Sequence, residues 1–349
     1  MLFRSSKVFE GIVGNKLAMD TSLISSMECI KVKVLSESIA FITVIFGQDA
    51  AAVISTILSV IVIRKCGSLC FHINCKILMT SLLLFYIAHS LFIITLQTTQ
   101  LVHYIAYKNP CDMGLSRDIC FSLRYPATVC MVACAVLQCA MVIERGVALS
   151  KREKYEQYGS KMGLTFVVVA IILSMALCLW AMQPNDFAVR SSYCSSATVS
   201  TSWKIMVLCF GLCGVDVITL LGIFFLYTFN DAALKRKIFH LHVTYQLREN
   251  SRVIRFIFPL TLFQTICYAC STACLGMVAL YHDYISFLAY NILFAGAYII
   301  PYYTMIAPII TWFIIKWSQQ LRETKLKALQ HQNSNEKDVY FKTYANMWK

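Results

Sequence analysis

Seven apolar stretches, each long enough to cross a bilayer as a helix, divide this chain, with basic segments between every other pair. A helix needs about 20 residues at ~1.5 Å each to span a hydrocarbon core. Backbone polar groups find no water there, so each stretch must close its hydrogen bonds as a helix. The expected fold is all-α, a seven-helix transmembrane bundle, with spans at Ile39–Ile63, Ile77–Thr98, Phe121–Ile143, Met162–Met182, Trp203–Asn230, Phe256–Tyr281 and Ile285–Ile315. Apolar residues at 58% against 14% charged, with a mean hydropathy of +0.64, place the chain outside ordinary soluble domains. Asp49 interrupts the first span and Arg124 opens the third. The seventh is ~47 Å if fully helical, too long for a ~30 Å core. Pro301 and Pro308 are expected to kink it, and its end to turn along the membrane surface.

Loop charge gives the bundle a direction. Residues 1–38 hold Arg4, Lys7, Glu10, Lys16 and Asp20 without the apolar core of a signal peptide, so the first span is expected to serve as its own insertion signal; Met19 is an alternative start. There is no Asn-x-Ser/Thr sequon to report sidedness. The loops after spans one, three and five and the tail carry 3, 5, 6 and 7 Lys or Arg. The opposite loops hold few, among them Lys108, Arg117 and Arg190. Basic residues near span ends stay in the cytoplasm, which predicts an external N-terminal tail (1–38), a seven-helix domain (39–315) and a cytoplasmic tail (316–349). Five Lys/Arg in the N-terminal tail weaken the contrast without reversing it. The net charge of +13 is spread over cytoplasmic loops, which suits anionic lipid headgroups rather than nucleic acid.

Most of the sixteen cysteines lie inside spans, where thiols pack as small apolar groups. Their helical spacings imitate metal pairs, but no intramembrane His or carboxylate completes a set, so neither a metal nor another cofactor is expected. Cys66, Cys70 and Cys75 fall on the cytoplasmic side, where lipidation is an option. Cys29, Cys111, Cys120 and Cys194 remain outside. Cys194 is the one cysteine of the Gln183–Ser202 loop, and Cys120 stands at the mouth of span three; a Cys120–Cys194 bridge is expected, with Cys111 as the competing partner.

From Cys120 to Arg145 is ~37 Å of helix, so one residue reaches each membrane surface. That separation, ending in Glu144-Arg145-Gly146, resembles the third helix of rhodopsin-like G-protein-coupled receptors. A charged stop at a membrane boundary is the simpler reading of the pair taken alone. Span two lacks a central Asp, and span seven has Ile300-Pro301-Tyr302-Tyr303 in place of Asn-Pro-x-x-Tyr. Four other segments point elsewhere: Phe71-His72-Ile73-Asn74-Cys75-Lys76, Cys120-Phe121 with Arg124-Tyr125-Pro126, Glu144-Arg145-Gly146-Val147-Ala148, and Tyr245-Gln246-Leu247-Arg248-Glu249-Asn250. In that order and placement they resemble the nematode serpentine chemoreceptors of the Sra superfamily, most closely its alpha/beta class, from about Ile30 to about Gln320. The resemblance implies a chemosensory receptor coupled to a heterotrimeric G protein, in the plasma or ciliary membrane of sensory neurons.

Ionisable groups inside a bilayer cost roughly 2.5–3.5 kcal/mol on insertion scales and need a partner or a cavity. Asp49 and His89 fall at similar depth by helical rise, which predicts a contact between spans one and two, joined by Asn291. It would be a proton-sensitive switch or a structural hydrogen bond, the second being preferred. Asp216, Gln138 and Gln264 share a level on spans five, three and six and are expected to form a polar layer able to repack on ligand binding. Gly47, Ala51, Ser55 and Ser59 make a packing stripe.

A ligand is expected between the outer halves of the helices. Candidates are Arg124, Thr128, Met131, Tyr268, Phe287, Tyr290 and Asn291, with Arg124 serving an anionic ligand, Asp118, Asp186 or the headgroups. Inside, Glu144 and Arg145 are the coupling residues, and Glu249 is expected to pair with Arg145 or, locally, with Arg252. Trp317, Leu321 and Leu329 amid Lys316, Arg322, Lys325 and Lys327 predict a short amphipathic helix, followed by disorder from His331. A seven-helix ligand-gated channel or a transporter is the alternative, opposed respectively by the charge count and by the lack of an internal repeat. No catalytic set points to an enzyme.

Overall fold

The computed structural model describes residues 27–67, 71–151, 155, 159–183, 193–195, 202–235, 241–281 and 284–347. Within them the chain forms α1 (27–36), α2 (Ile39–Cys66), α3 (Ile73–Ala106), α4 (Pro110–Met113) and α5 (Arg117–Ser150). It continues as α6 (Lys161–Ala181), α7 (Ser202–Lys235), α8 (Leu241–Leu280), α9 (Phe287–Ala297) and α10 (Ile300–Met347). Seven units are long and apolar enough to cross a membrane: α2, α3, α5, α6, α7, α8, and α9 continued by α10 as far as Leu321. The chain is an all-α, seven-helix membrane protein.

Caps set several helix starts. The Ser38 hydroxyl accepts from the Phe41 amide at 3.3 Å, and the Ser286 hydroxyl accepts from the Ala289 amide at 3.3 Å. Several helices outrun the apolar stretches that announce them. Hydropathy marks only the part facing hydrocarbon, whereas a helix continues wherever packing supports it. At the end of α3, Tyr104 is buried in a cluster with Val32 and Leu35 of α1, Phe41 and Ile45 of α2, Tyr193, and Ala295 of α9. A disulfide between Cys29 and Cys111 ties α1 across this end of the bundle. A second joins Cys120 to Cys194, anchoring the segment before α7 to the start of α5.

α5 is the most enclosed of the spanning helices and packs against α3, α6, α7 and α8; α6 and α7 show most of their windows outward. Small residues permit the closest approaches. A Cβ on Gly163 of α6 would lie 2.9 Å from the Asn74 Cα of α3, where the Gly163 amide donates to Asn74 Oδ1 at 3.0 Å. A Cβ on Gly47 of α2 would lie 2.9 Å from the Tyr302 hydroxyl of α10.

Two departures from the sequence reading concern the C-terminal third. The seventh span is interrupted rather than bent, stopping at Ala297 and restarting at Ile300. α10 then runs unbroken to Met347, through the stretch where disorder is expected from His331. From Lys316 to Lys349 there is no Gly or Pro, and Leu, Ala, Lys, Gln and Glu are good helix formers. Low hydrophobicity suggested disorder there, but it does not break a helix already nucleated inside the membrane.

Gly163→Ala is expected to lower the thermal stability of the detergent-solubilised protein by about 1–3 kcal/mol, because α3 backbone must move. Gly214→Ala, with nothing within 4 Å of the added methyl, should be neutral or stabilising. Equal midpoints for the two variants would contradict this packing.

Candidate functional site

The site begins with proline. Pro301 and Pro308 bring no amide hydrogen, so the carbonyls four residues earlier, Ala297 and Thr304, lose their helical partners. In a medium without water those groups need other donors; the Ile299 amide reaches the Ala297 carbonyl at 3.0 Å within the break, and side chains supply the rest. The Ser271 hydroxyl donates to the Ala297 carbonyl at 2.7 Å, and the Ser55 hydroxyl donates to the Thr304 carbonyl at 2.8 Å, itself accepting from Ser90 at 3.0 Å. The Gln48 amide donates to the Ala295 and Tyr298 carbonyls at 2.7 and 3.2 Å, and its oxygen accepts from Gln97 at 2.8 Å. Polar residues of α2, α3 and α8 thus hold the break open.

The break places Tyr298 beside a cavity of about 50 Å³ at the disulfide end of the bundle. Arg124, Thr128 and Met131 of α5 form one wall, and Ile205, Leu208 and Cys209 of α7 another. Ser271 and Leu275 of α8, Phe294, Tyr298 and Ile300 of the broken span, and Tyr193 complete it. Arg124 is only 3% exposed; its guanidinium stands 4.2 Å over the Tyr298 ring rather than reaching toward headgroups. The Tyr298 hydroxyl meets His89 Nε2 at 2.8 Å. Tyr193 is buried, with its ring edge-on to Phe41 at 5.3 Å.

Of the seven ligand candidates, Arg124, Thr128 and Met131 line this cavity. Tyr290 lines a smaller one beside it, of about 20 Å³. Tyr268 sits behind the wall, donating to the Met131 carbonyl at 2.9 Å. Phe287 and Asn291 lie one to two turns outward of Phe294: Lys31 stands over the Phe287 ring, and the Asn291 amide is spent on its own helix, at the Phe287 carbonyl. Neither Phe287 nor Asn291 lines either of these two cavities, since the break in span seven turns Phe294 and Tyr298 toward the larger one. Asp118 is exposed on the first turn of α5, and Asp186 lies outside the described residues.

Asp216, Gln138 and Gln264 come to one level, joined by a residue the sequence reading passed over. The Tyr303 hydroxyl donates to Gln264 Oε1 at 2.5 Å and accepts from Gln138 Nε2 at 3.4 Å. With its proton so committed, it accepts from Tyr86 at 2.6 Å. Gln264 Nε2 donates to Asp216 Oδ1 at 2.9 Å. All five side chains are fully or almost fully buried.

The expected Asp49–His89 contact is absent. Asp49 accepts from Thr98 at 3.3 Å, whereas His89 faces Tyr298. The antiparallel register pairs Gln48 with Gln97 and Ser55 with Ser90, so His89 lies about two turns from Asp49. α3 extends from Ile73 to Ala106, and depth counted from Ile77 and Thr98 misjudged its position.

At the opposite end, Glu144 and Arg145 are buried together, with Arg145 Nε donating to Glu144 at 2.5 Å. The Tyr155 hydroxyl donates to Glu144 as well, and Arg145 reaches the same hydroxyl at 3.3 Å. Burial pushes the Tyr155 phenol above its usual range, so it remains a donor. Asn74 reaches Tyr155 at 3.4 Å, and the His72 ring lies 4.5 Å from the Tyr155 ring. Glu249 takes neither partner expected of it. It accepts from the His72 backbone amide at 2.7 Å, at the start of α3, while Arg145 is held by Glu144. A free amide at a helix N-terminus attracts a carboxylate, a competitor the sequence reading omitted. Cys66 and Cys75 are buried beneath this end; Cys70 lies outside the described residues.

A family profile described as serpentine type 7TM GPCR receptor class ab chemoreceptor matches residues 26–349. Among curated proteins of Caenorhabditis elegans, serpentine receptor class alpha/beta-14 is 25% identical over 79% of this chain and 72% of its own. Class alpha-39 is 22% identical over 56% of this chain, and class beta-16 is 30% identical over 34%. Those two matches span about half and about a third of the relatives' own lengths.

Removing the Tyr303 hydroxyl strands Tyr86, Gln138 and Gln264 together. Tyr303→Phe is expected to cost about 1–3 kcal/mol, seen as a lower unfolding midpoint, whereas Tyr302→Phe should cost under about 1. A Tyr303→Phe midpoint equal to wild type would show that the layer contributes nothing.

Proposed function

Because the chain belongs to the serpentine class ab family of seven-transmembrane chemoreceptors, we propose that it binds an external small molecule in the Arg124–Tyr298 cavity and activates a heterotrimeric G protein from the Arg145 end. In this reading the disulfide end is external and the basic end cytoplasmic, in line with the 21 Lys and Arg on the loops and tail assigned inside. The observation that carries it is the two tyrosines flanking one break: Tyr298 contacts Arg124 and His89 on the cavity side, and Tyr303 centres the layer below. A ligand that moves Tyr298 acts on a backbone held by Gln48 and Ser271 and, a turn and a half later, on Tyr303. Arg145 lies about 10 Å further along α5 from Gln138. In the resting receptor Glu144 and Tyr155 hold Arg145, and Glu249 holds the start of α3.

The test is a small-molecule screen with a G-protein readout in cells expressing the chain, beside epitope accessibility at each terminus. An active compound should lose at least tenfold in potency or all efficacy with Arg145→Ala at equal surface level. Glu249→Ala should raise basal signalling by freeing the start of α3. Ligand-evoked current without G protein would replace this reading with a channel.

A further inference from the structure

The outward face of α8 changes character along its length. In the middle of the span it presents Ile266, Leu262 and Phe258, all exposed and apolar. Toward the end of the bundle that holds Glu144 and Arg145, the same face continues as Arg255, Arg252 and Arg248, again all exposed. At 3.6 residues per turn these six positions fall within about a third of the helix circumference. The opposite side is buried: Leu247, Val253, Ile254 and Ile257 pack inward, and the Asn250 amide donates to Asn230 of α7 at 3.3 Å.

The change falls at the membrane boundary. Gln138 and Gln264 share a level through Tyr303. Arg145 lies ~10 Å along α5 from the first, and Arg255 lies ~13 Å along α8 from the second, with Arg248 a further ~10 Å out. Nearby carboxylates are already spent. Glu249 is turned to the His72 amide, and Asp231, near the end of α7, is matched by Lys235 at 2.7 Å. Among the described residues none of the three arginines forms an ion pair. Like charges three and four residues apart on a helix repel one another, so the stripe is unfavourable until an anion lies against it.

A guanidinium holds a phosphate through a planar, two-oxygen fork. One phosphodiester occupies one fork, whereas three forks in a row suit a headgroup with several phosphates. The apolar half of the stripe selects a polyphosphate that carries acyl chains over a soluble one or an acidic protein surface. We infer that this face of α8 binds a polyphosphorylated inositol phospholipid. Its phosphates lie on Arg248, Arg252 and Arg255, and its chains lie along Phe258 and Leu262.

The test uses the full chain in phosphatidylcholine nanodiscs, with bound lipid counted by native mass spectrometry. The probes are phosphatidylinositol bisphosphate, phosphatidylserine at the same total charge, and free inositol trisphosphate in solution. Both leaflets of a nanodisc carry the added lipid, so the result does not depend on which end of the chain faces the cytoplasm. The bisphosphate lipid should be retained about tenfold over phosphatidylserine, and the free headgroup should bind more weakly than the lipid. Replacing all three arginines by Gln should abolish the preference, and replacing them by Lys should keep part of it. Removing the same charge from the tail, with Lys316, Lys325 and Lys327 changed to Gln, should leave it intact. Equal retention of the two lipids by wild type overturns the proposal without any variant having to fold. So does a free headgroup that binds as tightly as the lipid, a preference that survives the loss of the arginines, or one lost with the tail lysines.

Discussion

A proline in the seventh span creates the constraint on which the site depends. Its missing amide hydrogen leaves a carbonyl that water cannot reach, and the cost of an unsatisfied backbone group in hydrocarbon is several kcal/mol. Ser271 answers that cost at Ala297, before Pro301, and Ser55 answers the same cost at Thr304, before Pro308, while Gln48, fixed by Gln97 of α3, serves the Ala295 and Tyr298 carbonyls that the break itself exposes. Their positions are explained by one requirement rather than by separate pairings. Small residues on α2 follow from it too, since Gly47 lets the Tyr302 hydroxyl approach where a side chain would collide.

The same break sorts the tyrosines. Tyr298 stands in the break and meets Arg124 and His89; Tyr303, at the end of the first turn of α10, meets Tyr86, Gln138 and Gln264. A polar layer centred on a hydroxyl that donates once and accepts twice has few alternative arrangements, which suits an element that repacks rather than deforms. At the far end of α5, Glu144 and Arg145 are enclosed by Tyr155, Asn74 and His72. A buried ion pair of this sort is weak evidence of stability; its value lies in the state it holds.

Hydropathy along the chain shows the bulk of the architecture, because a span must be apolar over its length whatever it packs against. The level shared by Asp216, Gln138 and Gln264 was legible for the same reason, since helical rise converts position into depth. Depth failed for His89, because α3 runs beyond its apolar core at both ends. Glu249 escaped because its partner is a backbone amide, which no residue type announces. Cys29 could have been paired with Cys111 once Cys120 and Cys194 were matched, but α1 had no apolar span to draw attention to it.

Sequence alone determined that the chain crosses a membrane seven times, which stretches do so, and that Cys120 and Arg145 mark the two ends of one helix. These follow from length and transfer free energy, which are sums over consecutive residues. Tertiary structure alone decided that the seventh span breaks at Tyr298 and Ile299, which side chains repair it, and that Phe294 and Tyr298 rather than Phe287 and Asn291 face the cavity. Those outcomes depend on which groups of other helices arrive at a carbonyl, and that is settled by rotation and register between helices, quantities no single span encodes.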